Sequence, residues 1–119
     1  VTTTVLIVDD HPSFRASARA ILEADGFTVA GEAEDGASAI LAAAETGADV
    51  ILLDVQLPDM SGFDVCRELL AGHDGAAPQV VLVSSRDACD FGGLIEASGA
   101  RGFIAKAELS GEAVAALLL

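Results

Sequence analysis

Basic residues are scarce in this 119-residue chain: six Lys and Arg stand against 19 Asp and Glu, a formal net charge of −13. A field of that sign repels nucleic-acid phosphates, which argues against DNA binding by the chain itself, and it attracts cations. Cysteine is also sparse. Cys66 and Cys89 are too few for a disulfide framework and lack metal-ligand spacing, so both are expected as reduced thiols with structural roles. No apolar run approaches a membrane span, and no charged stretch leads into an apolar one with a cleavage site. The expectation is a soluble cytoplasmic protein without membrane contact. The chain starts at Val1 rather than Met, which leaves room for residues upstream.

What the chain does have is apolar mass. Hydrophobic residues make up 52% of it, far from the signature of disorder, and its length suits one domain with one core. Three four-residue runs at 5–8, 50–53 and 80–83 are rich in Val, Leu and Ile. Each is too short for a buried helix and suits a strand covered on both faces. Weaker strands are expected over 27–32 and 101–105.

Helical spacing fills the gaps. Phe14, Ala18, Ile21 and Leu22 predict a helix over 12–24 with Gly26 as its stop. Asp35 caps a second helix over 36–44, ended by Gly47. Ser61 and Asp64 form a box-like start to a third, reaching residue 71. A fourth is expected over 88–98 before Gly99, and Ser110 caps a fifth, with Glu112 in its first turn. Five β-α units with no linker or repeat predict a flavodoxin-like (βα)5 three-layer sandwich. Its parallel five-stranded sheet takes the order 2-1-3-4-5.

In such sheets ligands bind at the carboxyl ends of the strands. The first strand runs into Asp9-Asp10, the third into Asp54 and the fourth into Ser84-Ser85, while Lys106 follows the fifth. The first and third strands are neighbours, so three carboxylates converge. Two carboxylates 4 Å apart repel by roughly 4 kcal/mol at an effective dielectric near 20. A hard divalent cation with oxygen ligands offsets that. Lys106 adds a point charge and Ser84 a hydroxyl, a set that suits phosphoryl transfer with Asp54 as the central nucleophile. Taken singly, each has a plainer explanation. Asp54 could be a solvated rim, Lys106 a surface lysine, Ser84 a strand end and Phe103 a core ring. His11, directly before Pro12, is expected to start a helix rather than to titrate beside the site.

Three segments resemble the signatures of response-regulator receivers of two-component systems. They are Asp9-Asp10-His11-Pro12, the loop Asp54-Val55-Gln56-Leu57-Pro58-Asp59-Met60-Ser61-Gly62, and Arg101-Gly102-Phe103-Ile104-Ala105-Lys106. The spacings agree: Asp9 and Asp10 precede Asp54 by 45 and 44 residues, Ser84 follows it by 30 and Lys106 by 52. The resemblance covers essentially the whole chain, so residues 1–119 are expected to be one receiver domain with no output domain.

The resemblance implies that Asp54 takes a phosphoryl group from a sensor histidine kinase. It implies Mg²⁺ (or Mn²⁺) on Asp9, Asp10, Asp54 and the backbone carbonyl of Gln56. Ser84 and Phe103 are then the switch pair, and the face of the fourth helix, fifth strand and fifth helix repacks. Gln56 and Arg86 flank the hydrolytic water and tune the phosphoryl lifetime. Such a chain is a signalling receiver that assists its own phosphorylation and dephosphorylation, not an enzyme acting on free substrate. The wording around its motifs resembles regulators with a C-terminal LuxR-type helix-turn-helix domain, through which alone DNA would be bound, with a homodimer also allowed for. A stand-alone receiver, a phosphorylation-independent interaction module and a metal-dependent hydrolase are the other readings. Two departures stand out. The family usually has Pro after the site lysine, where this chain has Ala107, and Gly92-Gly93 falls inside the fourth helix, which is expected to be short, frayed or mobile for that reason.

Overall fold

The runs of Val, Leu and Ile become the centre of one parallel sheet. A computed structural model describes residues 2–71 and 77–118. Its strands are β1 (Thr4–Val8), β2 (Thr28–Ala33), β3 (Val50–Asp54), β4 (Gln79–Ser84) and β5 (Gly102–Ala105), in the order β2-β1-β3-β4-β5. All pairs are parallel, with Val8 beside Leu53, Asp54 beside Val83 and Ser84 beside Ala105. Every carboxyl end therefore opens on the same edge.

Alternation within each run explains why the sheet has two covered faces. Val5, Ile7, Val50, Leu52, Val81 and Val83 pack with Ala18, Leu22 and Val114. These come from α1 (Pro12–Ala24) and α5 (Gly111–Leu118). Leu6, Val8, Ile51, Leu53, Val80 and Leu82 pack on the other side with Ala39, Phe63, Val65 and Leu69. Those belong to α2 (Gly36–Thr46) and α3 (Gly62–Leu70). Burying each such side chain contributes about 1.5–3 kcal/mol relative to leaving it exposed. The result is the expected three-layer sandwich.

Helix ends follow local chemistry. Pro12 opens α1, where its missing N–H costs nothing. Asp35 and Ser38 form a reciprocal capping box on α2, and Gly47 closes it at φ 60°. The Ser61 hydroxyl accepts from Phe63 N, but Asp64 pairs with Arg67 instead of reaching back, so that box is only half made. Ser110 Oγ accepts from Ala113 N at 3.0 Å, as its position before α5 leads one to expect.

The fourth helix does not run through 88–98, but it is short, as the Gly92-Gly93 pair led one to expect. In place of one helix over 88–98 there is a 3₁₀ turn at Ala88–Phe91, a break, and a single-turn α4 at Leu94–Ala97. Gly92 sits at φ +56°, ψ −130°, a conformation L-residues rarely adopt, and this is what divides the segment. Cys66 is buried, with its thiol on the Ser98 carbonyl, whereas Cys89 is exposed on the 3₁₀ turn, not in the core as a structural role would place it. Lys106–Glu108 forms a second 3₁₀ turn directly after β5, and no peptide among the described residues is cis. Among those residues no helix is long and apolar enough to cross a membrane.

Candidate functional site

Asp9 leaves the end of β1 fully buried, held from three directions. Its N–H reaches the Ala33 carbonyl, its own carbonyl accepts from Arg15 Nη1 at 2.6 Å, and its Oδ1 accepts from His11 N at 2.8 Å. Asp54 ends β3 and is also buried. Its Oδ1 accepts from Gln56 N at 3.1 Å, which ties the acceptor to the loop that follows.

That loop must pass very close to the strand, and Gly62 permits it. A Cβ there would stand 2.7 Å from Val55 Cα and closer still to the Asp54 carbonyl oxygen. Asp59 anchors the loop's far side by accepting from Gly36 N and Ala37 N at 2.7 and 3.0 Å. These two backbone hydrogen bonds hold its carboxyl below the ordinary range.

Lys106 enters from β5 and lies between the two buried acids, with Nζ 2.5 Å from Asp9 Oδ2 and 3.3 Å from Asp54 Oδ2. The same ammonium stands 4.5 Å from the ring centroid of Phe14 in α1, so an aromatic face shields it on one side. Burial would lower its pKa, but the two carboxylates more than offset that and hold it above the usual lysine value. Asp9 shows the reverse balance: burial raises it, while Lys106 and His11 outweigh burial and bring it below the usual value. Burial wins at Asp54, whose pKa is pushed up to about 6, with the charge on Asp9 adding to the effect against Gln56 N–H and Lys106.

Of the expected residues, Asp9, Asp10 and Asp54 come together, and each offers an atom within 4.8 Å of the others. Asp54, Asp10, Gln56 and Lys106 line one cavity of about 250 Å³ at the sheet edge, joined by His11 and Ser85. Ser84 is buried at the end of β4, but its hydroxyl accepts from Arg86 N at 3.1 Å, and it is Ser85 that lines the cavity. Phe103 is half-buried in β5 and packs on Phe91, 5.8 Å between centroids. A larger cavity of about 470 Å³ lies at the amino ends of the strands, between Thr3, Asp25, Phe27 and Gly111, and none of Asp9, Asp10 and Asp54 lines it.

Two side chains join the site, one whose place there the sequence reading set aside and one it did not single out. His11 does begin α1, yet its Nδ1 also lies 3.1 Å from both Asp9 Oδ1 and Asp10 Oδ1. Arg15 sits one helical turn later, and its Nε donates to Glu32 at 3.0 Å while the same side chain holds the Asp9 carbonyl. Only the i to i+4 step from His11 to Arg15 hinted that both share a helix face.

The donor set fits a hard divalent cation. Three carboxylates supply oxygens, and Asp9 Oδ2, fully buried, has the Lys106 ammonium at 2.5 Å as its counter-charge. One ammonium faces two buried carboxylates with Asp10 beside them, and a divalent cation would offset the negative charge that remains.

The model of the response regulator receiver domain family matches residues 5–118. The chain belongs to that family. As a receiver, it is 45% identical over 104 residues to the nitrate/nitrite response regulator protein NarP of Escherichia coli, covering 86% of this chain and 47% of that protein. A putative transcriptional regulator of Pseudomonas aeruginosa is 36% identical over 104 residues, 87% of this chain and 49% of its own. The receiver thus spans about half the length of the curated relatives it matches. Among solved structures, the signal receiver domain of the putative response regulator NarL from Mycobacterium tuberculosis superposes with a TM-score of 0.86 at 32% identity, covering 98% of this chain and 94% of that one. A LuxR-family two-component response regulator from Aurantimonas gives 0.85 at 29%, covering 99% of this chain and 86% of that one. Receivers are signalling modules rather than enzymes acting on free substrate, and this one has the acidic pocket.

Proposed function

We propose that this receiver accepts a phosphoryl group on Asp54 from the phosphohistidine of a sensor histidine kinase. The single observation that supports this best is the position of Asp54: buried, yet lining a cavity, with Lys106 Nζ 3.3 Å away. A carboxylate oxygen of Asp54 forms the bond to phosphorus as the donor's phosphorus–nitrogen bond breaks, and the electron pair stays on the imidazole. Asp9, Asp10, Asp54 and the Gln56 carbonyl would hold Mg²⁺, or Mn²⁺, which would supply charge neutralisation for the transferring group. Lys106 supplies further positive charge to the phosphoryl oxygens. Gln56 N–H and Gly62 keep the acceptor loop in place, so that acceleration comes from positioning as well as charge.

Ser84 and Phe103 are the switch in this reading. A phosphate on Asp54 draws the Ser84 hydroxyl inward and Phe103 follows, which changes the face made by α4, β5 and α5. The phosphate acts by interacting better with one of two existing states. Residues 1–119 are the receiver part of a longer regulator, and DNA is contacted through a C-terminal domain. The half-length match to curated relatives supports this, as does the LuxR-family name of a structural neighbour. A cytoplasmic location and a homodimer go with it. The test is labelling with acetyl phosphate in Mg²⁺: the wild type takes up hydroxylamine-sensitive label and Asp54→Asn does not. Equal labelling of the variant would refute the assignment.

A further inference from the structure

Arg15 projects from α1 and ties the ends of two strands together. Its Nη1 donates to the Asp9 carbonyl at 2.6 Å, and its Nε donates to Glu32 Oε1, near the end of β2, at 3.0 Å. The side chain is only 16% exposed, so the guanidinium is held along the sheet edge rather than free in solvent. Glu32 is itself shared. Its Oε2 accepts from Arg19 Nε at 2.9 Å, one turn further along α1.

What the Arg15 contact holds is a peptide plane. The Asp9 carbonyl and the Asp10 N–H belong to one rigid unit, and the Asp10 Cα leaves from its far side. The two acids differ in how much else restrains them. Asp9 is buried, with Ala33, His11 and Lys106 on its other polar groups. The Asp10 side chain is 35% exposed, and its one partner among the described residues is the His11 ring at 3.1 Å. Its placement therefore depends on the backbone more than that of Asp9 does.

We propose that Arg15, anchored by Glu32, is a positioning residue for divalent-cation binding, and that it acts by fixing the peptide that carries Asp10. This rests on the reading of the acidic pocket as a Mg²⁺ site. A guanidinium this close to the acids opposes a cation by its charge alone. Glu32 offsets that charge and fixes the planar fork, so the geometry is gained with little repulsion. Position and charge predict opposite signs when Arg15 is removed. Loss of position weakens Mg²⁺ binding, whereas loss of the charge alone strengthens it.

Titration of the whole chain with MgCl₂, followed by amide NMR, separates the two. Arg15→Met is expected to weaken Mg²⁺ binding about tenfold, the low end for partners that orient metal ligands. Combining it with Glu32→Gln removes one charge of each sign and should leave the loss as large. In an Asp10→Asn background, Arg15→Met should change the affinity no further, because the carboxylate it positions is gone. Unchanged or tighter binding in Arg15→Met would overturn the proposal, as would an equal loss in both backgrounds. If Arg15→Met does not fold, Glu32→Gln in the same two backgrounds decides. A loss confined to the Asp10 background supports the proposal, and a loss in both or in neither overturns it. No Mg²⁺ response in the wild type would overturn the metal-site reading and this proposal together, while Asp54 labelling tests the phosphoacceptor separately.

Discussion

Lys106 lies closer to Asp9 than to Asp54, 2.5 against 3.3 Å, so in the absence of other charges the site lysine is first of all the counter-ion of the buried acid on β1. The lysine is thus already engaged by Asp9 where it faces Asp54.

Removing the lysine charge strands Asp9 in the interior. Lys106→Met is expected to cost about 3–5 kcal/mol, the range for breaking one side of a buried ion pair. Urea denaturation in chelator buffer reads this directly. A loss below about 1 kcal/mol would mean that water reaches Asp9 in a way its full burial does not suggest.

Relieving the acids acts oppositely. Asp10 shares His11 with Asp9 and lies at the cavity. Without divalent cation, Asp10→Asn is expected to raise stability by up to about 1 kcal/mol by reducing repulsion in a partly solvated cluster. Added Mg²⁺ should stabilise the wild type and do less for the variant, as binding to the folded state requires. The readout is thermal melting with and without the ion.

The pH dependence has a definite sign. Asp54 titrates near 6 in the folded chain, above the ordinary carboxylate value, because it is buried. The folded state therefore holds its proton more tightly than the unfolded one. The associated stability is complete below about pH 4 and is lost as pH rises through about 6, roughly 2–3 kcal/mol in all. Asp9, held below its usual value, contributes in the other direction, with stability lost only as pH falls below the carboxylate range. In metal-free buffer the stability difference between Asp54→Asn and wild type should widen from pH 4 to 7. A flat difference would contradict the burial argument.

Gly62 offers a steric test. Any side chain at this position meets the Asp54 carbonyl and Val55 Cα, backbone that cannot move aside cheaply. Gly62→Ala is expected to cost about 1–3 kcal/mol and to weaken Mg²⁺ binding, since the loop carrying Gln56 must shift. Calorimetric titration with Mg²⁺ checks the second effect. Unchanged affinity would show that the loop can move without disturbing the acids.

Strands were the most legible feature of the sequence, and the reason is physical. A run such as Val5–Leu6–Ile7–Val8 has no polar face, so only a strand between two helical layers buries all of it. Convergence of Asp9, Asp54 and Lys106 then follows from parallel topology. Other features depend on what lies across space. His11 reads first as a helix start, and only the folded geometry shows that its ring also reaches Asp9 and Asp10, the neighbourhood weighed and set aside in the sequence. Arg15 is one polar residue on an amphipathic helix until Glu32 and the Asp9 carbonyl are brought beside it. Segment 88–98 carried helix-like spacing together with a Gly-Gly pair, and backbone freedom at Gly92 prevailed over periodicity. Hydrogen–deuterium exchange should accordingly find amides 88–93 exchanging faster than those in α3. Uniform protection across 88–98 would contradict the broken helix.

The central claim is that Asp54 itself carries the phosphoryl group. Phosphorylating the chain with acetyl phosphate in Mg²⁺, reducing the acyl phosphate with borohydride and sequencing the peptides by mass spectrometry identifies the acceptor as the one aspartate converted to homoserine. The predicted result is homoserine at position 54 alone. Conversion at position 9 or 10 instead, or at no aspartate, would contradict it.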